Sequence, residues 1–195
     1  MSKGEDTRQF IIEKAALLLN QKGIAGTAVS DIMAATSLAK GGIYRRFNNK
    51  EEITLEAFNY LYKRLYGSIT TALKEKAAAK DKLFAVLDLY HDRLAMDKNG
   101  GCPLLNFGAE TDDTDPVIKD QVAKGIKAIQ DSFSQVVLDG IKRGEFRSSI
   151  DAATFGIKMF NLLEGSILVC RVSNNKQQMK MMTNLLRNEI DNFKR

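Results

Sequence analysis

The chain has 195 residues, 44% hydrophobic and 27% charged, with a net charge of +5, which suits a buried core in one large domain or two unequal ones. Its two cysteines are too few for a disulfide framework, and we find neither a secretory signal nor an uninterrupted apolar stretch of about 18–20 residues. We therefore expect a cytoplasmic protein with no membrane partner.

Hydrophobic spacing in the first third predicts four helices. The first ends before Gly23, a tight turn over 37–39 separates the second from the third, and two asparagines end the third. The predicted helices cover residues 7–22, 29–36, 40–47 and 50–65. Residues 1–66 hold 10 Lys or Arg against 7 Asp or Glu, a small basic excess that alone indicates only a soluble surface.

The rest of the chain also reads as helical, with a turn over 97–101 and a capping loop before Pro116. Gly67 and the lysine-rich stretch 74–82 are expected to interrupt or bend the first of these helices, and we interpret the lysines as solvated surface. The predicted helices cover residues 68–79, 82–96, 103–110, 117–143, 151–172 and 176–193. Few β-branched runs and only two prolines make the predicted fold class all-α.

Residues 28–47 have the spacing of a helix-turn-helix, whose second helix lies in the major groove of DNA. That helix begins with Gly41 and Gly42, although glycine disfavours helix by about 1 kcal/mol. Close approach to another backbone, such as that of DNA, is one explanation for the two glycines. For Lys40, Arg45 and Arg46, an ordinary solvated helix face is the alternative to DNA contact. Ile43 and Phe47 anchor the helix. The polar side chains left for the groove are Lys40, Tyr44, Arg45 and Arg46.

Residues 7–54 resemble the DNA-binding domain of the TetR family of bacterial transcriptional regulators. The resemblance rests on TAVSDI at 27–32, KGGIYRRF at 40–47 and FNNKEEI at 47–53. It implies a DNA-binding domain over residues 1–65 and a larger helical domain for ligand sensing and dimerisation over residues 66–195. It further implies a repressor that binds a palindromic operator as a homodimer and is released by a small molecule.

The resemblance also implies the residues that contact DNA. Thr27 and Tyr44 are expected at phosphates, and Lys50 at the backbone where the fourth helix starts. Five residues of the third helix are expected in or beside the groove: Lys40, Gly41, Gly42, Arg45 and Arg46. Ser30, near the start of the second helix, completes the predicted set.

Three positions differ from the usual family pattern. Ser37 stands where the turn usually has glycine, and Ala39 stands where serine or threonine usually caps the recognition helix. Loss of such a cap typically costs about 1 kcal/mol of helix stability. Arg46 stands where histidine is common.

A second resemblance lies in residues 101–110 and 155–172, which are similar to helices of TetR-type ligand-binding domains. It supports an unidentified small-molecule effector. Long helices with inward Phe and Met residues can keep a cavity between them, although such residues are more often core. The candidate pocket residues are Phe107, Phe133, Met159, Phe160 and Leu163.

The two C-terminal helices combine small residues, such as Gly156 and Gly165, with more apolar residues than one internal face needs. This pattern predicts a homodimer through a four-helix interface, two helices from each subunit, as the family resemblance also implies.

Two other classes of protein are weighed. An enzyme needs a nucleophile, a base and an orienting group, and we find no such set, no cofactor motif and no metal site. His91 with Asp88 and Asp92 is a weak metal pattern, and Cys102 at a helix start is more typical of a buried thiol than of a redox sensor. A helical protein-binding adaptor would leave the glycine-rich, arginine-bearing third helix unexplained.

Overall fold

The computed structural model describes residues 3–94 and 99–194, and all regular elements in these ranges are helices. They are α1 (Lys3–Lys22), α2 (Val29–Thr36), α3 (Lys40–Tyr44), α4 (Lys50–Lys74), α5 (Ala79–Leu89), α6 (Pro103–Thr111), α7 (Pro116–Lys142), α8 (Ala152–Ser173) and α9 (Gln177–Asp191). A π-helical turn, Tyr90–Leu94, continues α5. The predicted all-α fold class is confirmed.

The largest difference from the expected boundaries is in α4, which runs unbroken through Gly67 to Lys74. The predicted interruption there is wrong. Leu65 and Ile69 on either side of Gly67 are both buried, so packing of this face outweighs the low helix propensity of one glycine. The predicted recognition helix over 40–47 is also too long, because α3 ends at Tyr44.

The helix expected over 82–96 begins instead at Ala79, where the Glu145 carboxylate accepts a hydrogen bond from the Ala79 N–H at 2.6 Å. Its α-helical part ends at Leu89, and the final part expected as helix, residues 95–96, lies outside the described residues, as does the start of the turn predicted at 97–101.

Contacts divide the chain into two compact units. The first contains the residues up to Leu65 together with Cys102–Val122, so α6 packs in the same unit as α1–α3. Its core includes Ile11, Ile32 and Ile43, all fully buried. The boundary between DNA-binding and ligand-sensing domains at residues 65 and 66 stays a prediction.

The second unit contains Tyr66–Gly101 and the chain from Ala123 onward. In it, α8 crosses α7 closely at Gly156, where a Cβ would collide with the Ser134 hydroxyl. Phe133 on α7 and Met159 on α8 are fully buried. Three ion pairs join α9 to α5 and α8: Lys80–Asp191, Asp88–Arg187 and Lys158–Glu189.

By length and composition alone, α8 is apolar enough to cross a bilayer. Half of its most apolar window is buried inside the protein, and the core helix of a soluble protein meets the same criterion, so this is weak evidence for a membrane segment.

Candidate nucleic-acid interface

The turn between α2 and α3 has a left-handed residue at its start. Ser37 caps the C-terminus of α2 with φ 57° and ψ 26°. Residues with a Cβ adopt this conformation at a cost of roughly 1–2 kcal/mol, which accounts for the preference for glycine there. At the start of α3, Ala39 has the extended backbone of an N-cap but no side chain that could accept a hydrogen bond.

The recognition helix α3 separates its residues cleanly by exposure. Ile43 is fully buried and Phe47, just beyond the helix, is 2% exposed. The face away from the core carries the exposed residues Lys40, Gly41, Tyr44, Arg45 and Arg46. A Cβ built on Gly41 would meet nothing within 4 Å, so packing within the chain does not explain glycine at this position.

Arg8 on α1 fixes the end of the recognition helix, a role that the sequence reading missed. Its guanidinium lies 4.2 Å from the centroid of the Phe47 ring and donates to the Arg46 carbonyl. The same group pairs with Glu52 at 2.9 Å and with Glu56 at 3.2 Å.

These contacts shift the ionisation of the partners. Although burial acts to lower it, the pKa of Arg8 is raised by its hydrogen bonds to Glu52 and Glu56. The pKa of Glu52 is lowered, first by the Asn48 N–H, which donates to its carboxylate at 2.7 Å, and then by Arg8. The junction from α3 into α4 is therefore held by an ionised network.

At the start of α2, the Asp31 carboxylate accepts a hydrogen bond from the Ala28 N–H at 2.8 Å and pairs with Lys22 at 3.0 Å. Both contacts lower the pKa of Asp31, the Ala28 bond more strongly. Only this half of a capping box is present, because Ala28 has no side-chain acceptor, and Ser30 is exposed on the first turn of the helix.

Two predicted DNA-contacting residues are engaged within the protein. Thr27 is fully buried, and its hydroxyl donates to the Gly23 carbonyl at 2.7 Å. The Lys50 ammonium donates to the Ile24 carbonyl at 2.6 Å. Both side chains therefore hold the loop before α2, and their contacts with DNA stay predictions.

Two side chains of α6 bind the same part of the first unit. Glu110 accepts hydrogen bonds from the N–H groups of Ile24 at 2.9 Å and Ala25 at 3.0 Å. Asn106, one turn earlier, donates to the carbonyl and side-chain oxygens of Asn20, at 2.9 and 3.0 Å. We call Asn106 and Glu110 the α6 anchor.

The five candidate pocket residues do not share one compact unit. Phe107 belongs to the first, where its ring lies 5.4 Å from that of Phe58, and the other four belong to the second. All five are 4% exposed or less, and the described surface cavities are lined by other side chains. Their role in binding a ligand stays a prediction.

The second unit has a groove of about 470 Å³ between the end of α4 and α5, with Phe84, Glu75 and Asp88 among its lining residues. Deeper in the unit, Tyr90 donates a hydrogen bond to the buried Glu164 carboxylate at 3.0 Å. No group of three metal-binding side chains occurs in the part of the chain that the structure describes, and His91 instead contacts Asp92.

The C-terminal helices leave apolar side chains exposed. On α8, Leu168 is 56% and Val172 80% exposed, and on α9 Met181 is 57% exposed. Gly165, on the same exposed face of α8, has open space where a Cβ would stand. The two helices thus present an apolar surface with room for close approach.

Comparison with known families and proteins matches both parts of the chain. The family described as bacterial regulatory proteins, tetR family, matches residues 11–57. The family described as tetracyclin repressor-like, C-terminal domain, matches residues 79–186, which is more than half of the chain.

The chain is similar to regulatory proteins over most of its own length and most of theirs. A repressor named DhaR from Mycobacterium sp. is 22% identical over 87% of this chain and 85% of its own length. A fatty acid metabolism regulator protein from Bacillus subtilis is 23% identical over 89% of this chain and 88% of its own.

Solved structures agree more closely. A TetR transcriptional regulator from Chloroflexus aurantiacus superposes with a TM-score of 0.93 and 35% identity, covering 98% of this chain and 97% of that one. A TetR family regulator from Cytophaga hutchinsonii gives a TM-score of 0.92 and 33% identity, covering 100% and 98%. With both family domains matched in order along its length, the chain belongs to the TetR family of ligand-responsive, helix-turn-helix transcriptional regulators.

Proposed function

We propose that this protein is a cytoplasmic repressor, without catalytic activity or a resident cofactor, that binds a palindromic operator as a homodimer. The observation that carries the proposal is the exposed face of α3. Lys40, Tyr44 and Arg45 are exposed there while Ile43 is buried, and the open space at Gly41 suits close approach of a DNA backbone or base edge.

Within this proposal the side chains differ in role. Lys40, Arg45 and Arg46 supply positive charge in or beside the major groove, and Gly41 and Gly42 keep the first turn of α3 narrow. Tyr44 and Ser30 reach phosphates. Thr27 and Lys50 act at the loop before α2, where their protein contacts already hold them.

The homodimer is proposed to form through the exposed apolar face of α8 and α9. Leu168→Lys should shift the protein from dimer to monomer in sedimentation velocity, because it places a charge on this apolar face. Val117→Lys is the matched control, since Val117 is equally exposed at 56% but lies on α7. If both variants remain dimeric, this face is not the interface.

A small molecule is proposed to release the operator by binding in the second unit, among the inward side chains Phe133, Met159, Phe160 and Leu163, and a ligand contact at Phe107 in the first unit stays a separate prediction. A coupling of about 1–3 kcal/mol would weaken operator binding about 5–150-fold. A compound that binds the folded state should raise Tm in a thermal-shift screen and lower operator affinity. A compound that raises Tm and leaves operator affinity unchanged would not be the effector.

Selection from random duplex DNA tests the function as a whole. We expect enrichment of an inverted repeat whose half-sites lie about one helical turn, roughly 34–36 Å, or a multiple of it apart. Arg46→Ala should lose the enriched site while keeping dimerisation. Failure of the wild type to enrich any sequence at low salt would contradict the proposal.

A further inference from the structure

Five residues, 23–27, connect α1 to Ala28, the N-cap of α2, and polar contacts from two other helices hold them. Gly23 begins this loop in a left-handed conformation, with φ +83°. The next two peptide N–H groups, of Ile24 and Ala25, both donate to the Glu110 carboxylate. Consecutive N–H groups in such a turn form a concave anion site, and here the anion is the side chain of α6.

The carboxylate lies directly against the loop. A Cβ on Gly23 would be 2.6 Å from Glu110 Oε1, so the contact requires glycine at this position as well as glutamate on α6. Each carboxylate oxygen accepts from a different N–H, and a neutral amide side chain has only one oxygen to offer.

Lys50 of α4 and Thr27 of the loop itself make further hydrogen bonds to the loop backbone. Lys50 donates to the Ile24 carbonyl, so the peptide groups flanking Ile24 are bonded to α6 on one side and to α4 on the other. The Thr27 hydroxyl donates back to the Gly23 carbonyl. Ala28, the N-cap of α2, follows at once, so the position of Ser30 and the first turn of α2 depends on this loop.

We propose that Glu110 is a positioning residue for operator binding: it holds loop 23–27, and therefore the N-terminus of α2, without itself touching DNA. This inference rests on the proposed function in one respect, since operator affinity is one of its two readouts. In this proposal, the position of the DNA-facing surface at the start of α2 depends on Glu110 of the α6 anchor.

The charge of Glu110 and its positioning role predict opposite effects of Glu110→Gln on DNA binding. Removing a carboxylate from a DNA-binding unit should strengthen binding to the polyanion if the residue acts only through its charge. If Glu110 positions the loop, Glu110→Gln should weaken binding even though the protein becomes more positive.

The experiment compares the full-length wild type, Glu110→Gln and Asp113→Asn. Asp113 is an exposed carboxylate three residues after Glu110, just beyond the end of α6, so its variant removes the same charge. Operator binding is measured by fluorescence anisotropy on the selected inverted repeat, and amide hydrogen exchange is measured by NMR without DNA. Glu110→Asp, which keeps the charge on a shorter side chain, replaces Glu110→Gln if that variant fails to fold.

We expect Glu110→Gln to bind the operator at least tenfold more weakly and to exchange the Ile24 and Ala25 amides at least tenfold faster, with core amides such as Ile11 unchanged. Asp113→Asn should exchange like the wild type and bind equally or more tightly. Equal or tighter operator binding by Glu110→Gln, or unchanged exchange at Ile24 and Ala25, would overturn the proposal.

The two readouts separate this inference from the proposed function. If no operator is found for the wild type, the proposed function fails, and exchange in the free protein still decides whether Glu110 holds the loop. If the wild type binds an operator and Glu110→Gln binds it equally well, the positioning role fails and the repressor remains.

Discussion

The guanidinium of Arg8 lies over the ring of Phe47, 4.2 Å from its centroid, and thereby joins the first turns of α1 to the residue that anchors the recognition helix. Arg8 also donates to the Arg46 carbonyl and pairs with Glu52 and Glu56 on α4. One partly exposed side chain therefore connects α1 to α4 and to the residues that follow α3.

Replacing Arg8 should destabilise the protein more than its exposure suggests. Arg8→Ala removes a cation–π contact and a small ionic network, each contributing on the order of 0.5–1 kcal/mol, so we expect a loss of about 1–2 kcal/mol in urea unfolding. Lys14→Ala is the control, because Lys14 lies over Phe10 in a single exposed contact at 5.6 Å. Equal losses in the two variants would contradict the network role of Arg8.

The low pKa of Glu52 gives the protein a specific acid sensitivity. Because the folded pKa lies below the ordinary value of 4.5, the stabilisation is fully present above pH 4.5 and is lost as the pH falls through the folded pKa. Glu52→Gln should therefore unfold with a shallower pH dependence below pH 4.5. A profile unchanged in Glu52→Gln would rule out this contribution.

The left-handed turn residue offers a stabilising substitution. Ser37→Gly should raise the free energy of unfolding by about 1 kcal/mol, because glycine adopts φ 57° without the steric cost of a Cβ. Differential scanning calorimetry should show Tm rising by about 2–4 °C for a chain of this size. Asn174→Gly, at φ 50°, should gain less since asparagine tolerates this conformation; a Tm for Ser37→Gly at or below that of the wild type would count against the account of the turn.

The uncapped recognition helix can be compared with a capped helix in the same chain. Ala39→Ser supplies the missing acceptor and should stabilise by about 0.5–2 kcal/mol, whereas Asp151→Ala, which removes the carboxylate bonded to the Thr154 N–H at 3.1 Å, should destabilise the protein. Thermal unfolding of both variants gives the test. A neutral Ala39→Ser would mean that water already satisfies the first turn of α3.

Gly41 on α3 should lower the stability of the free protein and increase its affinity for the operator. Gly41→Ala should stabilise the free protein by up to about 1 kcal/mol, since a Cβ there meets nothing, and should weaken operator binding because the added methyl group lies on the DNA-facing side. Gly67→Ala in α4 also meets nothing and should stabilise with no effect on binding. Unweakened binding by Gly41→Ala would remove the reason for glycine at this position.

The bounds of α2 and α7 could be predicted from the sequence, because the signals that set them lie within or next to each helix. The spacing of apolar residues gave α2 its observed bounds, and the Asp115-Pro116 start and Gly144 end placed α7 within a residue of its observed limits. Gly67 misled the sequence reading because Leu65 and Ile69, two residues to either side of it, are both buried in the fold. Tertiary packing of this kind decides whether one weak residue ends a helix, and the local pattern does not record it.

For the candidate site, the exposed residues of α3 follow from helical spacing once Ile43 and Phe47 are assigned to the core. The contacts of Arg8 and Glu110 could not be read in the same way, because their partners lie 38 to 86 positions away in the chain. The resemblance over 101–110 did single out the stretch that contains Asn106 and Glu110, although it gave neither residue a role. Their observed partners are on α1 and the loop before α2.

The central claim is that α3 binds DNA through its exposed basic face, and the effect of single substitutions on operator affinity tests it most directly. Operator affinity should be measured by fluorescence anisotropy at salt concentrations between about 50 and 200 mM. Over this range, the affinity of proteins that contact several phosphates falls steeply. The variants are Lys40→Ala, Arg45→Ala and, as control, Lys142→Ala on α7. We predict that Lys40→Ala and Arg45→Ala each weaken operator binding by about 1–3 kcal/mol while Lys142→Ala matches the wild type, with unfolding midpoints unchanged in all three. Equal affinities in all four proteins would contradict the assignment of α3 as the recognition helix.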